Sequence, residues 1–160
     1  MTTREPTPQD RLAIVGLMRA YAAATDRADW DAVRECYHPD AYDDHGVVKG
    51  SRDDLVRHFS KALDVFDSTL HLVGEPEIVA IDDVTFEVKT PSLAFHWAKK
   101  VAPVKHLLMG ALYHDIVENR GGTYAVARRT VVLHDTFEYE GEAREWGLAK
   151  FFAKRGSIKP

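Results

Sequence analysis

Residues 84–98 read VTFEVKTPSLAFHWA, and large apolar side chains recur there at every second position in two runs, 84–88 and 93–97. Because successive side chains of a β-strand point to opposite faces, this period of two predicts strands. Turn residues near positions 82, 102 and 120 divide the chain between Thr69 and Tyr139 into long segments. We expect these segments to pair as antiparallel neighbours in one sheet.

The chain ahead of this sheet has a helical period instead. Apolar residues recur at three- and four-residue spacing between the cap residue Thr7 and Asp26, which predicts a first helix. Asp29 caps a second, short helix that Pro39 stops, and residues 50–54 begin a third. Three helices followed by a meander of strands predict an α+β fold, with the helices covering one side of the sheet.

The composition is that of a globular protein with one domain. The chain has 160 residues, of which 45% are hydrophobic and 29% charged, and its net charge is −4. That charge balance, without a basic stripe, argues against a nucleic-acid partner, and no apolar run approaches the roughly 20 residues that span a bilayer. We expect one domain over residues 1–160, with residues 140–160 as a C-terminal tail or lid.

Cysteine content and the N-terminal residues bear on the cellular compartment. Cys36 is the single cysteine, so an internal disulfide is excluded. Residues 1–9 are polar and lack the apolar core of a signal peptide. We therefore expect a cytoplasmic location and no association with a membrane.

His71 is the most informative polar residue of the predicted sheet. It lies in the mostly apolar segment Thr69–Val73, so its imidazole needs a polar partner. A carboxylate that accepts one ring N–H fixes the tautomer of a histidine and favours its charged form, which makes the histidine a useful base. Asp26, at the end of the first helix, is our candidate for that carboxylate. Spacing alone leaves another interpretation open, in which His71 is a hydrogen-bonded core residue and Asp26 caps the second helix.

Other polar clusters give weaker indications of metal or nucleophile chemistry. Residues 43–45 read DDH, but neighbours on an extended chain point to opposite faces and converge poorly on a cation. His96 and His106 lie on adjoining predicted strands with no Cys or Glu at zinc-ligand spacing. Cys36 is interpreted as a small buried apolar residue. We therefore expect no metal site.

Aromatic residues are the candidates for contacts with a small apolar ligand. Their spacing is typical of a core, but a pocket within the same core takes its walls from the same side chains. We expect substrate contacts from Tyr21, Trp30, Phe59 and Trp97.

Several short motifs carry a family resemblance. They are DRADW at 26–30, HPDA at 38–41, TLHLVG at 69–74, YHD at 113–115 and the hairpin segment from Gly121 to Arg129. In these motifs the chain, over roughly residues 8 to 137, resembles the SnoaL-like and scytalone-dehydratase-like branch of the nuclear-transport-factor-2 superfamily. The resemblance implies a cone, in which a strongly curved antiparallel sheet wraps around three N-terminal helices. It also implies a deep, mostly apolar pocket and no cofactor.

The resemblance further implies roles for individual residues. Family members remove a proton with an Asp-supported histidine and then expel a leaving group, and Asp26 and His71 match that pair. His96 falls where scytalone dehydratase has a second histidine that assists the leaving group, and Tyr113 falls at an asparagine of its pocket. Arg129 matches a pocket arginine of the dehydrochlorinases, where a cation stabilises a departing anion. The alternative for Arg129 is an outward charge that is paired at the sheet surface.

The sequence thus predicts a cofactor-independent lyase that acts on a small cyclic or aromatic molecule. An isomerase that uses the same base is one alternative, because the base can return the proton to another carbon. A binding or interaction module with an inert pocket is the other. The apolar strand 107–112 leads us to expect a homo-oligomer, either a dimer or a trimer.

Overall fold

The computed structural model describes residues 4–99 and 104–140. Three helices come first, and side-chain caps fix where two of them begin. Thr7 and Asp10 form a reciprocal capping box at the first helix, and Ser51 and Asp54 form another at the third. The helices are α1 (Pro8–Asp26), α2 (Trp30–Glu35) and α3 (Arg52–Ala62), and a 3-10 turn (Leu63–Val65) follows α3.

Strands make up most of the rest of the described chain. Two of them precede α3, and the others follow it, as the change of hydrophobic period predicts. The strands are β1 (Tyr37–Asp44), β2 (Lys49–Ser51), β3 (Phe66–Val73), β4 (Glu77–Ala80), β5 (Thr85–Ala98), β6 (His106–Arg120) and β7 (Thr123–Tyr139).

One sheet contains all of these strands. Its order is β2-β1-β7-β6-β5-β3, and β4 pairs with part of β5. Every pairing is antiparallel except that of β1 with β7, which is parallel. The predicted α+β cone, an unclosed, mostly antiparallel sheet curved around three N-terminal helices, is confirmed.

The end of α2 and the start of β1 differ from the sequence prediction. We predicted that Pro39 ends α2, but α2 ends at Glu35 and the chain enters β1 at Tyr37. Pro39 lies inside β1, where the register against β7 shifts between Tyr37 and Tyr42. A proline, which has no N–H to donate, is tolerated at such an irregularity of an edge region.

The size of the inward side chains divides the interior into a filled part and an open part. Phe86 and Val88 of β5 and Val117 of β6 are fully buried, and they fill the part of the interior next to the turn between β6 and β7. Further along the same face, Ser92 and Ala94 are small. Small inward residues leave space above the sheet, and that space is the cavity described below.

The described residues do not reach the predicted C-terminal tail. Residues 141–160 lie outside them, so the expected tail or lid stays a prediction, as does the single domain over the full chain. Among the described helices, none is both long enough and apolar enough to cross a membrane.

Candidate active site

A cavity of about 280 Å³ opens between the helices and the concave face of the sheet. Its volume is near the lower end of the roughly 300–1,000 Å³ that is typical of small-molecule sites. Most of its wall is apolar, and a few polar side chains interrupt it. The polar or aromatic residues of the wall are Tyr21, Thr25, Trp30, His45, Phe59, His71, Ser92, His96 and Tyr113.

A tight reversal after α1 sets the position of Asp26. Ala28 adopts a left-handed conformation with φ of 52°, and the backbone N–H of Asp29 donates to the carbonyl of Ala24 over 2.9 Å. Asp29, and not Asp26, caps α2, because its Oδ1 accepts from the N–H of Ala32. The interpretation of Asp26 as the cap of α2 is therefore wrong, and its carboxylate is free to face β3.

Asp26 and His71, which we call the His71 pair, are joined by several hydrogen bonds. The Nδ1 atom of His71 lies 2.6 Å from Oδ1 of Asp26. The backbone N–H of His71 donates to both carboxylate oxygens, at 3.1 and 2.9 Å, and the hydroxyl of Thr69 donates to Oδ1 over 2.9 Å. Because Asp26 accepts from Nδ1, Nε2 is the ring nitrogen left for another partner.

The hydrogen bonds also determine the charge of the Asp26 carboxyl group. Burial alone would raise the pKa of Asp26, but the bonds from the ring and backbone of His71 hold it below its ordinary value. Thr69 adds a further donor. Asp26 is therefore an ionised carboxylate at neutral pH, and it orients the imidazole of His71.

His96 lies beside the His71 pair. The two imidazole rings are 5.7 Å apart at their centroids and stand edge to face. Burial, and then the proximity of His71, lowers the pKa of His96 to about 4. Its Nδ1 atom is buried without a hydrogen-bond partner among the described residues. A neutral imidazole with an unsatisfied nitrogen in a cavity wall is a site for a ligand atom.

Asp43 and His45, which we call the His45 pair, form a second hydrogen-bonded Asp and His couple. The Nδ1 atom of His45 bonds to Oδ1 of Asp43, while Oδ2 accepts from the hydroxyl of Tyr37 over 2.8 Å. The Nε2 atom of His45 lies 3.4 Å from the hydroxyl oxygen of Tyr21. Sequence reasoning missed this pair, although residues i and i+2 of a strand share a face.

Arg129 lies behind the cavity wall. Its guanidinium group donates two hydrogen bonds of 2.8 Å to Asp115 and one of 3.1 Å to the oxygen of Tyr37. It also lies over the rings of Tyr21 and Tyr113, at 4.1 and 4.5 Å from their centroids. Burial would lower the pKa of Arg129, but the charge of Asp115 holds it well above its ordinary value.

A family model for the SnoaL-like domain matches residues 7–130. The chain belongs to this family. The match spans α1 to the middle of β7 and therefore includes both Asp and His pairs and His96.

Solved structures with this fold accompany the family match. A proposed scytalone dehydratase from Novosphingobium aromaticivorans superposes with a TM-score of 0.72 at 20% identity, covering 82% of this chain and 89% of that one. A hexachlorocyclohexane dehydrochlorinase superposes with a TM-score of 0.75 at 14% identity, covering 84% and 91%. None of the curated proteins matches the sequence. At these identities the superpositions establish the fold of the SnoaL-like domain.

Two of the residues predicted for the site of this SnoaL-like domain lie elsewhere. Trp97 is not in the cavity wall, because it follows His96 on β5 and points to the opposite face, where it stacks on Phe95. Arg129 is not in the wall either, since Tyr21 and Tyr113 cover it. The surface alternative for Arg129 is also wrong, because the residue is fully buried.

The other predicted residues of the SnoaL-like domain meet at the cavity, and their substrate contacts stay a prediction. The wall includes His71, His96 and four of the predicted aromatic residues, and Asp26 bonds to His71 from behind. The four aromatic residues are Tyr21, Trp30, Phe59 and Tyr113. Within residues 4–99 and 104–140, no group of three or more His, Cys, Asp or Glu side chains is arranged to hold a metal ion.

Proposed function

We propose that this SnoaL-like domain is a cofactor-independent lyase in which His71 removes a proton from carbon in a small cyclic or aromatic substrate. One observation carries the proposal. His71 lines an apolar cavity with its Nδ1 atom committed to an ionised Asp26, so Nε2 is available to accept a proton. The imidazolium ion that forms is then stabilised by the adjacent carboxylate.

His96 and Tyr113 supply the polar contacts for charge that develops on the substrate. His96 stays neutral at neutral pH, since its pKa is about 4, and its neutral ring offers one N–H and one bare nitrogen. Burial raises the pKa of Tyr113, so its hydroxyl keeps its proton and acts as a donor. Donors held in a dry cavity stabilise an enolate-like anion more strongly than water does.

Arg129 acts through other side chains and does not touch the substrate. Its guanidinium group is fully buried and held by Asp115, and it supports the rings of Tyr21 and Tyr113 from behind. This arrangement favours a positioning role over the anion-binding role that the family resemblance implies.

Elimination, isomerisation and binding without chemistry differ in what happens to a carbon-bound proton. The test is to incubate the protein in D₂O with a panel of cyclic ketones and β-hydroxy ketones and to follow mass and ultraviolet absorbance. A lyase yields a conjugated product that is lighter by one water. An isomerase yields an isomer of the substrate in which deuterium replaces hydrogen on carbon. If ligands bind but neither exchange nor product appears, the binding-module alternative replaces the proposal.

The variant His71→Ala makes this test specific. We expect a loss of about 10²- to 10⁴-fold in exchange and product formation, the usual range for a positioned acid or base. The matched control is His114→Ala. His114 also bonds to a carboxylate, at 2.6 Å from Oε1 of Glu87, but it lies outside the cavity wall. Equal activity of His71→Ala and wild type would contradict the assigned base.

The outer face of the sheet supports the expected homo-oligomer. Four apolar side chains of β3, β5 and β7 are each more than 40% exposed, and β6 lies between β5 and β7 in the sheet. They are Leu70, Leu72, Leu93 and Phe137. A second copy that packs on this face would remove them from water. We propose a homo-oligomer, either a dimer or a trimer, and light scattering at micromolar concentration tests it, since a monomeric mass would contradict it. We also propose that the protein is located in the cytoplasm.

A further inference from the structure

The His45 pair stands at the other end of the sheet order from the His71 pair. His45 follows β1, near one edge, whereas His71 is on β3 at the opposite edge. Curvature of the sheet brings both histidines into the wall of one cavity. Each imidazole bonds to a carboxylate through Nδ1, so Nε2 is the nitrogen directed away from the carboxylate. Nε2 of His45 lies 3.4 Å from the hydroxyl oxygen of Tyr21. A ligand between them therefore meets two imidazoles.

The carboxylates of the two pairs are stabilised in different ways. Asp26 is partly open to water, with 19% of its side chain exposed, and it accepts bonds from a backbone N–H and from Thr69. Asp43 is 1% exposed, and apart from His45 its partner is the hydroxyl of Tyr37. A buried carboxylate without a nearby positive charge is strongly destabilised.

The formal charges of the buried groups around Asp43 do not balance among themselves. Asp43 and Asp115 are both buried carboxylates, and Arg129 is the buried cation beside them. Arg129 uses two N–H groups on Asp115 and reaches Asp43 through the hydroxyl of Tyr37. These three groups sum to a charge of minus one. A proton on His45 brings the cluster to neutrality, and a neutral His45 leaves it with an unbalanced buried charge.

We propose that His45, held by Asp43, is a second proton-transfer group of the cavity, the acid that protonates the leaving oxygen of a hydroxylated cyclic substrate. The inference rests on the proposed function and deepens it, because it selects an alcohol over a halide as the substrate class. A halide departs as a stable anion without a proton, whereas a hydroxyl group leaves readily only as water.

The reaction balances with two histidines of opposite roles. Nε2 of His71 takes the proton from carbon, the C–H electron pair becomes the C=C bond, and the C–O bond breaks with its electrons on oxygen. That oxygen takes the Nε2 proton of His45 and leaves as water. His71 ends protonated and His45 neutral, and proton exchange with solvent restores both. The hydroxyl of Tyr21 lies 3.4 Å from Nε2 of His45, so a leaving oxygen that bonds to Nε2 also meets this hydroxyl.

The first test needs no substrate. ¹⁵N NMR of histidine-labelled protein at pH 7, with assignment by single His variants, reports which ring nitrogens carry protons. We expect both nitrogens of His45 to be protonated in the wild type. A bare Nε2 on His45 at this pH would overturn the proposal without touching the role of His71.

The second test varies the leaving group. Wild type and His45→Gln are compared on a cyclic β-hydroxy ketone and on its β-chloro counterpart. We expect the variant to lose about 10²- to 10⁴-fold on the alcohol and less than about threefold on the chloride. An equal loss on both compounds, or none on either, would overturn the proposal. If the wild type acts on neither compound, the proposed function itself is at fault, whatever the protonation of His45.

A matched control is available on α3. The ring of His58 packs against Phe59 at 5.1 Å, the same distance as the ring of His45, but His58 does not line the cavity. His58→Gln should leave both activities within about twofold of wild type, since it changes no group placed at the substrate. Asp43→Asn is the companion variant, and we expect it to reproduce the selective loss on the alcohol.

Discussion

The His71 pair and the His45 pair use the same two residue types, but their surroundings differ. Asp26 accepts donors from β3 itself, including the backbone N–H of His71, and keeps some contact with water. Asp43 is buried and belongs to a network that continues through Tyr37 to Arg129. The base role proposed for His71 and the acid role proposed for His45 rest on this difference between the two carboxylates. The comparison teaches that the environment of an acid, and not its mere presence, assigns base and acid roles.

Substitution of Arg129 is expected to have the largest effect on stability and to affect only the His45 pair. Arg129→Met leaves Asp115 as an unpaired buried charge and removes the donor to Tyr37, so we expect a loss of about 3–5 kcal/mol in the free energy of unfolding. Urea denaturation measures it. The ¹⁵N shifts of His45 should change while those of His71 stay the same. Matching changes at both histidines would contradict the separation of the two networks.

A double variant controls for the loss of the buried cation. Arg129→Met combined with Asp115→Leu removes both members of the pair, so no charge of that pair is left unpaired. We expect the double variant to be more stable than Arg129→Met alone. Equal stabilities would show that the loss in the single variant arises from packing and not from the stranded carboxylate.

The next effect concerns His96, which lies beside the His71 pair. Its pKa is about 4 in the folded protein and near 6.5 when unfolded, so the unfolded chain binds the extra proton between these values. Stability that is present above pH 6.5 is therefore lost as the pH falls towards 4, by at most about 3 kcal/mol. The measurement is the difference in unfolding free energy between wild type and His96→Gln across that range. A difference that does not vary with pH would contradict the buried neutral state of His96.

The smallest effect tests the donors of Asp26. Thr69→Val keeps the shape of the side chain and removes the hydroxyl that donates to Oδ1 over 2.9 Å. We expect the pKa of Asp26 to rise and the free energy of unfolding to fall by about 1–2 kcal/mol, since the lost bond goes to a charged acceptor. Carboxyl ¹³C NMR titration follows Asp26 directly. Ser68, the neighbour of Thr69 on β3, is exposed, and Ser68→Ala should leave the titration unchanged.

The alternation of side chains along strands accounts for much of what could be predicted about the site. Two errors, at Trp97 and at the His45 pair, arose where this alternation was not applied. The period of two placed His71 and His96 on strands, where both reach the cavity. The same period puts Trp97 on the face opposite His96, so our assignment of Trp97 to the pocket contradicted the pattern that predicted the strand. Asp43 and His45 are two residues apart and share a face. The pair was not predicted because the run DDH was judged by its adjacent residues, which point to opposite faces.

Sequence by itself determined the change from helices to strands and the caps Thr7 and Asp29, because these depend on local spacing. It made Asp26 a candidate partner of His71, through the motifs at residues 26–30 and 69–74, and the hydrogen bonds of the folded chain decided between the two interpretations. Tertiary structure alone decided the position of Arg129 behind Tyr21 and Tyr113, the parallel pairing of β1 with β7, and the meeting of both histidine pairs in one cavity. The physical reason is that burial and charge balance are properties of groups distant in sequence. Arg129 is a cavity-facing cation or a buried support according to what the sheet folds over it.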